Sequence, residues 1–524
     1  MAILLAHMRL MHCIVFTLLF SACSGSSEVP APAPPPQPAP EAPKAAATAP
    51  EIIVLVTMDT LRGDFMTFAG QEHPTTPYMQ TLADDGVYFT SAFAPCSWTA
   101  PSMASIMTGI YPMSHGVNTG RFTPKTGEVS QPILGDDLTT LAETLQAAGY
   151  KTIGVPSNRH LAAKLGFKQG FGHYLDQAPF LEAEGVNKRV RQQMKAAFGD
   201  TWRDEWKNHK TFLWFHYFDP HIPFKLHDRV GDFAPDFEAN KEAYPVGLLT
   251  PQMEKRYKTS TEEDMRNVRA MYAQEVRWLD DQFRVMAEEL GLDDPRVATL
   301  ITSDHGEELL DHDHISHGKT LYDEVLRIPL LVHWKGGDLT HREITQPVSL
   351  LDVLPTLADL AGAEIPERTQ GQSLVAALRG ETLPETRGLL FELKPRAGGP
   401  KYRMVGYTDG KWKLVRSREP GLLAPSLFDL SSDAGETTDV IAEHPEVAAR
   451  LETALTALMR DLPTAGDVEE HQSDDPELIK EIPCTEGSLW LEGNNGFGAC
   501  ATQGLRRMMG TSTSDASDGK QRSL

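Results

Sequence analysis

Ile52-Ile53-Val54-Leu55-Val56 runs directly into Thr57-Met58-Asp59-Thr60-Leu61-Arg62-Gly63-Asp64. An unbroken apolar run, mostly β-branched and bounded by loop chemistry, predicts a strand buried on both faces, as in parallel sheets. A second such run, Val297–Thr302, enters Ser303-Asp304-His305-Gly306-Glu307-Glu308. Lys151–Val155 and Phe212–Phe218 read as further buried strands. Helices fill the intervals. Thr76-Pro77 offers a cap and an N1 proline, with Gly86 as the stop. Leu138, Leu141 and Leu145 share a helical face behind Asp136 and Asp137, closed by Gly149. From Met265 through Tyr272, Leu279 and Phe283 to Leu290, a three/four spacing predicts one long amphipathic helix. This alternation predicts an α/β sandwich with a large, mainly parallel sheet.

In such sheets the chemistry gathers at the carboxyl ends of strands. Asp59 ends one strand, and Asp304-His305 ends another. A lone carboxylate there ordinarily caps the next loop. Two such ends side by side would instead bring two oxygens and a nitrogen to one cation. Asp59, Asp304 and His305 are therefore the expected metal ligands.

Several motifs, in order and spacing, resemble the sulfatase family of the alkaline phosphatase-like superfamily. They are Met58-Asp59-Thr60-Leu61-Arg62, Pro101-Ser102-Met103-Ala104-Ser105, His216-Tyr217-Phe218-Asp219-Pro220-His221, Ser303-Asp304-His305-Gly306-Glu307 and His317-Gly318-Lys319-Thr320. Leu427-Phe428-Asp429-Leu430 and Gly435-Glu436 continue the resemblance, which spans roughly Ile52 to Met459. It implies an alkaline phosphatase/sulfatase-like sandwich and a metal-dependent hydrolase of sulfate or phosphate esters. Family precedent implies one divalent ion, calcium first. Thr60 stands where many relatives carry a second carboxylate or an amide, so it offers at most a neutral oxygen, and manganese or zinc also suit the set. A second site built from Asp219, His221 and His317 is disfavoured, because Asp219-x-His221 lacks the Asp-x-x-x-His spacing of two-zinc relatives.

The family carries its nucleophile in Cys/Ser-x-Pro-Ser-Arg, where the Cys or Ser is oxidised to formylglycine. Pro101-Ser102 sets the register here, placing Thr99 at the nucleophile and Met103 at the arginine; Cys96 lies three residues too early. Oxidising a threonine gives a ketone, so formylglycine is not available. A hydrated formylglycine attacks with one hydroxyl and expels sulfate with the other. Threonine has one hydroxyl, which favours phosphoester chemistry, where activated water attacks phosphorus. The expected nucleophile is thus unmodified Thr99, ionised by contact with the metal. The resemblance places His221 near the substrate's anionic group, and His317 or Lys319 at the leaving oxygen. Arg62, His115 and Asn118 are expected anion contacts, while His216 and Asp219 shape a turn. The competing reading makes Thr99 a cap of the helix begun by Pro101. The chain would then be a lipid-tethered, non-catalytic protein holding an anionic glycan or lipid headgroup.

Composition excludes some partners. A formal net charge of -23 over 524 residues argues against nucleic acid binding. Residues 1–22 read as a signal peptide, with Ile14–Phe20 as its apolar core. Ser21-Ala22-Cys23 resembles a lipobox, which implies lipidation at Cys23 and anchoring to a bacterial membrane; plain cleavage after Ala22 is the alternative. Ser24 carries no retention charge, so the outer membrane is expected. Residues 23–50 form a Pro/Ala-rich tether. The expected catalytic domain covers 51–380, and a smaller α+β subdomain with an antiparallel sheet covers 381–464, followed by a partly disordered tail at 465–524. Cys484 and Cys500 are candidates for a disulfide in that tail.

Overall fold

The computed structural model describes residues 49–71, 73–117, 121–123, 128–130, 133–175, 180–234, 261–383, 387–395, 401–419, 421–464, 488–492 and 498–502. Cys23, Asn118 and Cys484, with most of the leader, tether and tail, lie outside the described residues. Among those described, no helix is long and apolar enough to cross a membrane.

The large sheet comprises β1 (Ile52–Met58), β2 (Val87–Phe93), β3 (Lys151–Val155), β4 (His173–Tyr174), β5 (Thr211–Tyr217), β6 (Val297–Ser303), β7 (Arg327–His333), β8 (Arg342–Ile344) and β9 (Val348–Ser349). Their order is β8-β2-β7-β6-β1-β5-β3-β4, with β9 also paired to β2. Only β7 runs antiparallel to its neighbours, β2 and β6. At the centre, Met58 of β1 lies opposite both Tyr217 of β5 and Ser303 of β6. The residues that follow β1 and β6 therefore leave the sheet at one level.

Strand alternation splits β1 between two cores. Ile53 and Leu55 join Phe212, Trp214 and Leu300 under α2 (Thr99–Thr108), α3 (Leu141–Ala147) and α6 (Val353–Ala361). Ile52, Val54 and Val56 join Leu213, Phe215 and Ile301 under α1 (Pro77–Asp85), α4 (Ala183–Phe198) and α5 (Glu262–Leu290). Each fully buried aliphatic or aromatic side chain is worth about 1.5–3 kcal/mol, so the sheet holds its strand ends firmly. One expected helix starts later than its leucine pattern suggests. Thr140 caps α3 in a capping box with Glu143, leaving Leu138 buried but outside the helix.

The smaller sheet is antiparallel, in the order β10 (Leu389–Leu393), β11 (Met404–Thr408), β12 (Trp412–Ser417) and β13 (Ser426–Asp429). Helix α7 (Pro445–Asp461) sets Leu451 against Leu414 and Leu427. Part of the smaller sheet also packs into the core of the larger one. Leu389, Phe391, Leu393 and Val415 share the core beneath α2, and the rings of Phe391 and Phe93 lie 5.7 Å apart.

Candidate active site

The two carboxylates beyond β1 and β6 follow one pattern. Asp59 Oδ2 accepts from Asn158 Nδ2 at 2.6 Å and from His216 Nε2 at 3.3 Å. Asp304 Oδ1 accepts from the backbone N–H groups of Thr60 at 3.2 Å and His305 at 2.9 Å. The other oxygen of each, Asp59 Oδ1 and Asp304 Oδ2, is buried and receives no hydrogen bond. Both lie near His305 Nε2, at 3.6 Å and 3.5 Å. His305 Nδ1 donates to the Gly306 carbonyl at 2.8 Å, which turns the lone pair of Nε2 toward the cluster. Gly306 itself is required by close packing, since a Cβ there would run into the Glu324 carbonyl.

The ligand atoms of Asp59, Asp304 and His305 lie within 4.8 Å of one another. Burial pushes the Asp59 carboxyl up to about 6, and burial plus the charge of Asp59 pushes Asp304 well above the carboxylate range. Two half-bonded carboxylates and an imidazole with unmatched negative charge fit a divalent cation. Among the described residues this is the only group of three such side chains. Asp219 is not drawn into a second one. Burial and the neighbouring Glu275 hold its carboxyl up, at about 8.

Helix α2 begins at Thr99, two residues before Pro101, and Trp98 is its cap. The Thr99 hydroxyl lies 3.4 Å from His305 Nε2 and 3.4 Å from Asn158 Nδ2, so it faces the carboxylate cluster and does not cap the helix. The helix N-terminus adds positive potential at the same place. Ser102 Oγ donates to the Cys96 carbonyl at 2.7 Å and steadies the turn. Met103, at the family's arginine position, is wholly buried in the core, and the Cys96 side chain is buried there as well.

Other expected residues are placed as follows. Thr60 adopts a left-handed φ of 57° and sets its side chain beside Glu307. The rings of His221 and His317 lie 4.8 Å apart, and His317 lies 4.5 Å from His305. Lys319 Nζ donates to the Ile315 carbonyl at 2.9 Å, and its charge acts on Glu307. Two expected anion contacts are corrected. The Arg62 guanidinium is buried and committed to Asp64 at 2.8 Å and Asp311 at 2.7 Å. His115 accepts from the Val117 N–H at 3.0 Å through Nδ1, and its Nε2 lies 3.2 Å from the Pro101 carbonyl and 3.1 Å from Ser105 Oγ. Burial lowers its pKa to about 3, so it is a neutral brace of α2.

His216, expected to shape a turn, belongs to the centre. Trp214 Nε1 donates to Thr57 Oγ1 at 3.0 Å, Thr57 Oγ1 bonds His216 Nδ1 at 2.8 Å, and His216 Nε2 reaches Asp59. Burial lowers the His216 pKa to about 4 and keeps the ring neutral. Asn158 was missed altogether. Its signal was a polar side chain just past the Lys151–Val155 strand, at the sheet end where sites form.

A large, mostly parallel sheet in a mixed α/β fold, with a separate small antiparallel sheet, is the architecture of the alkaline phosphatase-like hydrolases. Comparison with known proteins narrows that class. The sulfatase family model matches residues 51–363, and a model described as N-sulphoglucosamine sulphohydrolase, C-terminal, matches 313–461. The chain belongs to the sulfatase family. Arylsulfatase A of Bos taurus is 28% identical over 483 residues, covering 83% of this chain and 93% of the relative. The ulvan-active sulfatase of Formosa agariphila is 24% identical over 410 residues, covering 71% and 72%. Among solved structures, one in complex with its substrate D-glucosamine-2-N,6-O-disulfate superposes with a TM-score of 0.63 at 18% identity, over 81% of this chain and 99% of that one. The phosphonate monoester hydrolase of Agrobacterium radiobacter superposes with a TM-score of 0.61 at 22% identity, over 79% and 96%.

Proposed function

We propose that this sulfatase-family protein hydrolyses anionic tetrahedral esters by attack of Thr99 Oγ1, with phosphate-type esters favoured. The observation that carries the reading is the Thr99 hydroxyl, 3.4 Å from His305 Nε2 and beside two half-bonded carboxylates. Asp59, Asp304 and His305 would hold one divalent ion, with a neutral oxygen of Thr60 as a further donor. When bound, that ion supplies the positive charge that admits an anionic ester and favours an ionised Thr99 hydroxyl.

The chain's own residues then divide the work. Asn158 and His216 fix Asp59, and Asn158 also donates to Thr99 Oγ1. Attack forms the Oγ1–phosphorus bond and breaks the phosphorus–ester oxygen bond, while His221, His317 and Lys319 surround the departing oxygen. That oxygen leaves as the alcohol after taking a proton. Water next attacks phosphorus, releases phosphate and returns the Thr99 hydroxyl. A sulfated threonine would need water to attack sulfur directly, without the second hydroxyl that formylglycine uses. The phosphonate monoester hydrolase among the similar folds supports the phosphorus chemistry. The sulfatase relatives make aryl sulfate and sulfated glycans the comparison substrates.

The test is a panel of aryl sulfate, phosphomonoester and phosphodiester substrates, with wild type beside Thr99→Val and Thr99→Ser. Phosphoester turnover, retained in part by Thr99→Ser, is expected, with an intact mass showing no oxidation. Thr99→Val turning over as fast as wild type would place the nucleophile elsewhere, and a wild type that turns over none of the panel would favour the tethered binding protein instead. The same reading places the protein outside the cytoplasm, lipid-anchored through Cys23 to the outer membrane. Cys23→Ala should release it from the membrane fraction, and continued association would remove the anchor from the account.

A further inference from the structure

A row of aromatic rings leads outward from the carboxylate cluster. The centroids of His305 and His317 lie 4.5 Å apart, and those of His317 and His221 4.8 Å. His221 stacks on Phe218 at 4.4 Å, and Phe218 meets Phe180 at 4.6 Å. Exposure rises along the row. His305 is wholly buried, His317, His221 and Phe218 are partly buried, and Phe180 is 44% exposed. The row therefore runs from beside the Thr99 hydroxyl to solvent.

Its outer end is held in place. Ser157 Oγ accepts from the N–H of Leu181 at 2.9 Å and donates to the Leu181 carbonyl at 3.1 Å, which pins the residue after Phe180. Ser157 directly precedes Asn158, the side chain bonded to Asp59 and Thr99. The Arg159 guanidinium lies over the Phe180 ring, 5.6 Å from its centroid, and adds a cation–π contact. Phe218 follows directly on β5. A single exposed phenylalanine is ordinary. One fixed at the end of a row that starts at the reacting centre presents an apolar face to whatever is attached there.

We propose that Phe180 and Phe218 form a subsite for the outer ring of the leaving group, so that the favoured substrates are esters of multi-ring aromatic alcohols. The inference deepens the hydrolase reading given above and rests on it for the position of the ester. With phosphorus beside Thr99, the first ring of an aryl ester lies against His317 and His221. Phe218 and Phe180 stand further out by one and two ring spacings. A single phenyl group stops short of them, and a second ring reaches them. Such a ring gains from tilted stacking and from the apolar area it removes from water. Two phenylalanines offer no hydrogen bond to the hydroxyls of a sugar ring, which favours an aromatic group over a glycan at this position.

The test compares kcat/KM for phenyl methyl phosphate and 4-biphenylyl methyl phosphate in wild type, Phe180→Ala and Phe180→Trp. The two phenols are of similar acidity, so the esters differ mainly in reach. Wild type is expected to favour the biphenylyl ester by on the order of 10-fold. Phe180→Ala should erase that preference while its rate on the phenyl ester stays within about 2-fold of wild type. Phe180→Trp keeps a ring and should keep the preference. No preference in wild type, or equal losses on both esters in Phe180→Ala, would overturn the subsite.

Binding separates this outcome from failure of the hydrolase reading. Phenylphosphonate and 4-biphenylylphosphonate carry a phosphorus–carbon bond in place of the ester, and are titrated by calorimetry into the full-length protein with calcium added. The biphenylyl compound is expected to bind wild type about 10-fold more tightly than the phenyl compound, and Phe180→Ala no more tightly. That pattern without turnover of either ester would leave the subsite standing and remove the hydrolase. A wild type that binds the biphenylyl compound no more tightly than the phenyl one would overturn the subsite, even if both esters are hydrolysed.

Discussion

The strand-end centre and the junction between the two sheets both bury carboxylates, and they treat them in opposite ways. At the junction, Lys413 is wholly buried on β12, with its Nζ 2.7 Å from Asp323 Oδ1 and 2.9 Å from Glu436 Oε1. Beside it His312 Nδ1 lies 2.6 Å from Glu324 Oε1 and stacks on Tyr322 with ring centroids 3.6 Å apart. Burial opposes a charge on His312, but Glu324 outweighs it and raises the pKa to about 9. The junction thus carries its own cations. At the strand ends, Asp59 and Asp304 each keep one oxygen unbonded, and the nearest imidazole offers a lone pair instead of a charge. A buried ionic cluster that completes itself holds elements together, whereas one left short of positive charge is built for a ligand.

Breaking the site and breaking the junction should therefore look different. The largest effect is expected from Thr99→Val, where turnover falls by about 10³ or more while the melting temperature stays near that of wild type. Urea unfolding alongside kinetics checks both halves, and a large loss of stability would make the hydroxyl structural. Lys413→Met should do the reverse. It strands two buried carboxylates and is expected to cost about 3–5 kcal/mol in unfolding free energy, with divalent-ion binding retained by what remains folded. A small cost there would mean that the junction charges are not mutually dependent.

Adding calcium or manganese should sharpen the contrast by raising wild-type stability, by about 2.7 kcal/mol at a hundred times the dissociation constant. Asp304→Ala should lose that gain, and Lys413→Met should keep it. Metal analysis with calorimetry checks this, and an unchanged metal content in Asp304→Ala would remove Asp304 from the ligand set.

The smallest effect concerns pH. His312 has a folded pKa of about 9, above its unfolded value of about 6.5. Its stabilising contribution is full below about pH 6.5 and is lost as pH rises through about 9. Denaturation midpoints measured across that window should fall in wild type, and fall less in His312→Gln. A parallel decline in both would place the titrating group elsewhere.

What the sequence determined by itself was local or periodic. The largely apolar runs that became β1, β5 and β6 were legible because a strand buried on both faces needs no alternation. Asp59 and Asp304-His305 were legible because they follow directly on those runs. Thr99 was legible from the spacing of Pro101-Ser102, and its departure from the family motif needed no coordinates. The tertiary structure decided everything that depends on who meets whom. Asn158, His216 and Glu307 stand 99, 157 and 85 residues from Asp59, Asp59 and Ile222, the groups they hold. Only the strand order β6-β1-β5-β3 brings the first two of those pairs together. Arg62 and His115 carried the right chemistry for an anion, but Asp64, Asp311, Ser105 and Pro101 already occupy their donors. A residue's type states which bonds it can make. Which of them it has left to offer a substrate follows from its packed neighbours, because a buried donor bonds the nearest acceptor that folding supplies.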